Sequence, residues 1–310
     1  MWWTWILASA TAAGSAGAVP PEPVEQPWGS RPATSFIDGD TVHLYGVLYD
    51  DMLQPLRELL ARAPVPPRRL QVASRGGDAM AGLAVGELVR RYGLEVVVAP
   101  PGCGSACAAY VFTAATRKVI SPGAVVVWHN SCPNRTMEQP QAMEKYLRTQ
   151  LGTAFELRYV VDGVAIEDPG QLQALLEREI DDWVAQTVDY ARKWRLEHER
   201  FFAGTPVDAR GVCLEDHLDL PDVPADSFSY SYTLSVADME RLGICNVHAP
   251  EDYTGQATRF FAHRGRDVDA GVISLADHPR FVPLHAPGGC AKVAGEPAPQ
   301  QRADATDTVP

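Results

Sequence analysis

The sequence has no basic run, no Cys-x-x-Cys pair and no internal repeat. Beyond its first residues it also has no apolar stretch of 18 residues. Each absence removes a class of function. With a net charge of -12 and no cluster of Lys or Arg, the chain lacks the counter-charge that sequence-independent nucleic-acid binding needs. Without an apolar stretch long enough for the hydrocarbon core, no stable transmembrane anchor follows the N-terminus. The six cysteines are scattered at positions 103, 107, 132, 213, 245 and 290, a spacing that argues against a zinc site. No metal and no cofactor is therefore expected. What is present is ordinary globular material. Hydrophobic residues make up 46% of the chain and charged residues 21%, enough to bury a core unaided.

The first residues, Met1-Trp2-Trp3-Thr4-Trp5-Ile6-Leu7-Ala8, run into small residues up to Ala16-Gly17-Ala18. A short apolar stretch ending in a small-x-small pattern reads as a secretory signal over 1–18, although no Lys or Arg precedes it. Export to the periplasm or the medium follows, and an even cysteine count in an exported chain fits disulfides. Residues 19–34 are rich in Pro, Gly and Ser and read as a linker. Residues 286–310 have almost no large apolar side chains and read as a disordered tail. The folded part is expected over 35–285.

Its first half alternates strands and helices. Thr41–Leu48, Leu70–Ser74, Leu94–Ala99 and Ala124–Trp128 read as strands. Met52–Ala61, a segment with Ala81, Val85, Leu88, Val89 and Tyr92 on one face, and the small-residue run Ala106–Ala115 read as helices. Such alternation implies an α/β fold with a parallel sheet and crossover helices. The second half differs. Met143, Leu147, Leu151, Phe155 and Tyr159 recur every four residues, as do Leu172, Leu176, Ile180, Val184 and Val188. These predict two long amphipathic helices with ordinary core faces, followed by a loop over 203–229.

Three features carry chemistry. Ser105 follows a strand and a Pro-Pro-Gly turn and opens a helix of small residues. There the N–H of Ala106 would be free to bind an oxyanion at a helix start. Gly76 and Gly77 follow another strand, and glycine lets the backbone approach a ligand closely and supply a second donor. His129 ends a strand at the sheet edge where α/β ligands gather, and a histidine there can accept the serine proton. Each feature has a plainer reading alone, as a turn, an N-cap or a solvated histidine. Their order and spacing distinguish them: 29 residues separate Gly76 from Ser105, and 24 separate Ser105 from His129.

The segment from Leu70 to Ser131 resembles the proteolytic subunit of Clp protease and its relatives in the ClpP/crotonase-like superfamily. The carrying motifs are Ser74-Arg75-Gly76-Gly77-Asp78, Met80-Ala81-Gly82, Cys103-Gly104-Ser105-Ala106-Cys107 and Val127-Trp128-His129. A later segment, Thr233 to Ile244, is similar to the family's Leu-Ser-Ala-x-Glu-Ala stretch. The cysteine-flanked serine and the signal-like start resemble predicted periplasmic Clp-like proteins. The resemblance implies a β-α-β superhelix with a mainly helical insertion and loop over 133–229. It implies Ser105 as nucleophile, His129 as general base, and the N–H groups of Gly76, with Gly77 beside it, and Ala106 as the oxyanion hole. The family's acid is displaced. Ser231 stands at its aligned place, Asp226 is the nearest acid upstream, Asp222 lies further off, and Asp181 or Asp182 could serve from the insertion. Relatives form rings or trimers, so a homo-oligomer is an expectation.

Cys103 and Cys107 flank Ser105 at a spacing of four, so a disulfide between them would brace the turn. The alternative pairs one of them with Cys132, three residues beyond His129. The resulting expectation is an exported serine hydrolase, a Clp-like peptidase acting on a peptide or protein substrate. The alternative is a non-catalytic binding protein of the same fold with a degenerate site. Crotonase-type chemistry on an acyl thioester would not need the serine-histidine pair.

Overall fold

The computed structural model describes residues 32–129, 132–133, 138–152, 160–161, 164–165, 168–214, 217–218, 231–263, 270–283 and 290. The expected signal segment 1–18, nearly all of the expected linker and tail, and Asp222 and Asp226 lie outside these residues.

A hairpin opens the fold. β1 (Thr34–Asp38) turns at Gly39 into β2 (Thr41–Tyr45), and α1 (Leu53–Arg62) leads to β3 (Arg69–Ser74). α2 (Ala79–Tyr92) starts at an Asp78 cap, whose carboxylate accepts the Ala81 N–H at 2.8 Å. It ends at Gly93 in the left-handed conformation. β4 (Glu95–Gly104) is followed by a wide, π-type helical turn over Cys107–Phe112, then by β5 (Lys118–Ile120) and β6 (Val125–Val127). The inserted part contains α3 (Pro140–Gly152), the short pair β7 (Val160–Val161) and β8 (Val164–Ala165), and the 35-residue α4 (Pro169–Ala203). β9 (Ser231–Leu234), α5 (Val236–Arg241), β10 (Val247–His248), α6 (Tyr253–His263) and β11 (Ala270–Ile273) complete it.

The main sheet has seven strands in the order β1-β2-β3-β4-β5-β10, with β6 also on β4. Every pairing after the β1-β2 hairpin is parallel. Val42, Leu44, Leu70, Val72, Val96 and Val98, all at most 1% exposed, alternate with partly exposed neighbours and form the buried face of the sheet. β1 is a strand that the sequence pattern does not mark, and pairing begins inside the expected linker, where the Ala33 N–H donates to Val47 O.

β4 places the site. It is longer than the expected strand, because its first half pairs with β5 and its second half, Gly102–Gly104, pairs with β6. The register against β3 shifts between Val72 and Ser74, and Cys103 then stands beside Ser74. The two halves of β4 thus deliver Gly104 to the C-terminal edge between β3 and β6, the edge from which Gly76 and His129 also leave. α2 packs on the helix after Ser105 through glycines. A Cβ on Gly82 would meet Ala106 Cβ at 2.8 Å, and one on Gly86 would meet Tyr110 O at 2.7 Å.

Candidate active site

Ser105 sits in a left-handed conformation, with φ +51°. For a residue with a Cβ this geometry costs about 1 kcal/mol. It persists because its surroundings fix it. The Ser105 N–H donates to Val127 O at 2.8 Å, and Ser105 O accepts the Ala109 N–H at 2.8 Å. The result is a sharp strand-to-helix turn that presents a half-buried side chain at the sheet edge.

The Gly-Gly segment lies against this turn. Gly76 has φ +95°, and a Cβ there would stand 2.5 Å from Gly104 O, 2.6 Å from Ser105 Cβ and 2.9 Å from Ala106 N. The Gly76 backbone therefore borders both the serine side chain and the start of the following helix. Its N–H donates to Ser74 Oγ at 3.1 Å, and its carbonyl accepts the Leu48 N–H at 2.8 Å. Gly77, exposed at φ +144°, bridges to Leu48.

His129 stands two residues beyond β6, after Trp128. Trp128 pairs antiparallel with Tyr232, their N–H and C=O groups exchanging bonds of 2.8 and 2.9 Å. In antiparallel pairing the next two residues along, His129 and Ser231, fall beside one another. Ser231, at the position aligned with the family's acid, thus adjoins the strand end that carries the histidine. Among the described residues Ser105 Oγ makes no hydrogen bond, a contact with His129 included. Such contacts are often loose before substrate binds. Asp181 and Asp182 are exposed on α4. Among the described residues no group of three or more metal-binding side chains occurs.

All six cysteines are paired. Cys103 and Cys107 form a disulfide with 5.4 Å between Cα atoms, both residues fully buried beneath the Ser105 turn. Cys132 pairs with Cys213 rather than with either of them. The reason is local: β4 and the helix after it already hold Cys103 and Cys107 within bonding reach. Cys245 pairs with Cys290, inside the expected tail. Three disulfides fit an oxidising compartment, and no described helix is long and apolar enough to cross a membrane. Cys103→Ser/Cys107→Ser frees only a short loop, so it is expected to destabilise the fold by about 2 kcal/mol. It should lower serine reactivity by at least tenfold, because nothing covalent then ties the turn; paired denaturation and active-site labelling measure the two effects.

The site includes residues that sequence reasoning left aside. Asp78, next after Gly77, accepts the Tyr190 hydroxyl on Oδ2 at 2.8 Å. Tyr110, one turn into the helix after Ser105, accepts the Trp194 indole N–H at 2.6 Å and lies 2.9 Å from His198 Nδ1. His198 Nε2 in turn lies 3.9 Å from Cys132 Sγ. Burial pushes His198 down to about 4, so it is neutral at pH 7. Burial and the neighbouring Asp78 carboxylate push the Tyr190 hydroxyl up. The signal available in the sequence was the spacing of Tyr190, Trp194 and His198, four residues apart.

Comparison of the sequence with protein-family profiles finds no match, and neither does comparison with curated proteins. Solved structures do match. A point mutant of the membrane-bound stomatin-specific protease 1510-N is 13% identical over 75% of this chain and 95% of that one, with a TM-score of 0.31. DspI of Pseudomonas aeruginosa is 16% identical over 30% of this chain and 48% of that one, TM-score 0.25, so this chain spans about half of it. An enoyl-CoA hydratase/isomerase from Marinobacter aquaeolei is 14% identical over 60% and 89%, TM-score 0.25. These are ClpP-like and crotonase-fold proteins that the chain is similar to; at TM-scores of 0.31 and below they carry no argument about its chemistry, which rests on the residues above.

Proposed function

We propose that the chain is an exported serine hydrolase, a Clp-like peptidase. In this reading Ser105 is the nucleophile and His129 the general base. The N–H groups of Ala106 and of the Gly76-Gly77 segment receive the oxyanion. The observation that carries it is the Ser105 turn: a non-glycine residue held at φ +51° between a buried strand and a helix, with Gly76 against its Cβ. Strain of that kind survives where the surroundings over-determine it, and it aims a hydroxyl outward from the sheet edge. On substrate binding, His129 takes the Ser105 proton, the hydroxyl attacks the scissile carbonyl, and the negative oxygen settles toward the Ala106 N–H. A segment over 1–18 that directs export, and assembly into a homo-oligomer, belong to the same reading.

A second reading, a binding protein with a degenerate site, is favoured by the Gly76 N–H being taken by Ser74 Oγ. A fluorophosphonate probe separates the two. Wild-type protein is expected to label, Ser105→Ala to lose all labelling, and His129→Ala to slow it by roughly 100-fold or more. Folded wild-type protein that does not label sinks the hydrolase.

A further inference from the structure

We propose that α4 is the positioning spine of the active site, with His198 the residue that registers the base-bearing segment against the nucleophile. This rests on the hydrolase reading for its kinetic consequences, though not for its structural ones. The observation is that one face of one helix touches all three parts of the site. Tyr190, Trp194 and His198 stand four residues apart, and on an α-helix such residues share a face.

Tyr190 serves the glycine segment. Its hydroxyl donates to Asp78 Oδ2 at 2.8 Å, and its oxygen accepts the Ala79 N–H at 3.3 Å. Asp78 is the residue after Gly77, and its N–H donates to Leu48 O. Trp194 serves the nucleophile helix, through its bond to Tyr110 Oη. His198 bridges two parts at once. Nδ1 lies 2.9 Å from Tyr110 Oη, and Nε2 lies 3.9 Å from Cys132 Sγ.

Proton placement along this chain follows from chemistry. An indole N–H only donates, so Tyr110 Oη accepts from Trp194. A disulfide sulfur has no proton, so His198 Nε2 is the donor toward Cys132. A neutral imidazole then has a bare Nδ1, which accepts the Tyr110 O–H. Three members are buried, Tyr110 fully, Trp194 at 6% exposed and His198 at 6%, and Cys132 is half-buried. Cys132 is three residues past His129, and its disulfide to Cys213 fastens the same segment. The path from Ser105 to His129 thus runs through α4, outside the sheet that also joins them.

His198 touches neither reacting group, so it acts through position. His198→Ala is expected to slow fluorophosphonate labelling on the order of 100-fold, the effect of a displacement near 1 Å. His198→Gln, whose amide offers one acceptor and one donor, should recover most of the rate. A double-mutant cycle tests the route. If His198 works through His129, then His129→Ala should cost much less in the His198→Ala background than in wild type. Multiplying losses would overturn the proposal.

Amide hydrogen exchange decides the structural part whether or not the protein labels. His198→Ala should speed exchange in the peptides containing 105–110 and 129–132, while β2 and β3 keep wild-type protection. Tyr110→Phe, which keeps the ring and removes the oxygen, should reproduce that pattern. Unchanged exchange in both peptides overturns the spine even if labelling falls. Wild-type protein that fails to label overturns the hydrolase alone, and the exchange result then stands by itself.

Discussion

Gly76→Ala is expected to abolish fluorophosphonate labelling of Ser105, a loss of at least 100-fold, in protein that still folds. Two effects add. The native φ of +95° is one that residues with a Cβ rarely adopt. The new methyl would also stand 2.5–2.9 Å from Gly104 O, Ser105 Cβ and Ala106 N. Two of those atoms are backbone, and they are anchored. Gly104 lies in register with Val127, and the Ser105 N–H is bonded to Val127 O. The Gly76 carbonyl is tied to Leu48 as well. Whichever side yields, the serine and the glycine backbone separate, and the oxyanion contact is lost with them. Gly93→Ala is the control. Gly93 has φ +61° at the end of α2 with nothing within 4 Å of an added Cβ, so it isolates the dihedral penalty of about 1 kcal/mol. It should lower the unfolding midpoint by a few degrees and leave labelling unchanged. Gly76→Ala protein that labels at the wild-type rate would remove Gly76 from the site.

The same residue shows how far the sequence carries. Gly76-Gly77 after a strand reads as a place where the backbone makes a close approach, and the structure puts Gly76 against Ser105. The Val-rich runs of β4 and β6 announced buried strands, and the alternation Arg69-Leu70-Gln71-Val72 announced β3 as a strand with one covered face. α1, α2 and the helix after Ser105 fell close to their expected places for the same reason of period. What escaped was whatever depends on register or on distant partners. β5 and β10 have three and two residues, too short for any pattern to accumulate. The extension of β4 to Gly104 passes through Pro100 and Pro101, which read as a turn. Only pairing of its far half with β6 makes it a strand.

The cysteines divide along the same line. A spacing of four made Cys103–Cys107 readable as a brace, whereas Cys132–Cys213 closes 81 residues and depends on how the insertion returns. The insertion is the largest gap. Its apolar period of four, Leu172 to Val188, pointed to a core helix and nothing more. The residues that reach the site, Tyr190, Trp194 and His198, repeat the spacing of four two residues out of step with that series, with polar atoms attached. Hydrophobic pattern counts them as core, and their hydrogen-bonding ends acquire meaning only beside Asp78, Tyr110 and Cys132.

The other large effect concerns stability. Between pH 7 and about 10 the protein should gain up to about 4 kcal/mol of unfolding free energy, and Lys118→Met should lose that gain. Lys118 is 3% exposed on β5. Its ammonium donates to Ala115 O at 2.5 Å and to Cys245 O at 3.0 Å, and among the described residues it has no carboxylate partner. Burial lowers its pKa from 10.5 to about 7. The sign follows from proton counting. Between 7 and 10.5 the unfolded chain holds a proton on this lysine that the folded chain lacks, so stability rises with pH. Below 7 both states are protonated and the penalty stays constant. The two carbonyl acceptors favour the charged form, which makes the figure an upper bound. Above pH 10 the direction reverses, because burial holds the Tyr110, Tyr190 and Tyr253 hydroxyls above their ordinary value, Tyr253 at about 12. The unfolded chain then releases those protons first. Since all six cysteines are paired, no thiol is present to reshuffle disulfides as the pH rises. Urea denaturation at intervals of half a pH unit reads the slope directly. A wild-type midpoint that is flat from pH 7 to 10 would mean that Lys118 stays charged in the fold, held by Ala115 and Cys245 alone. Lys118→Met would then destabilise equally at every pH, by stranding those two carbonyls without their donor.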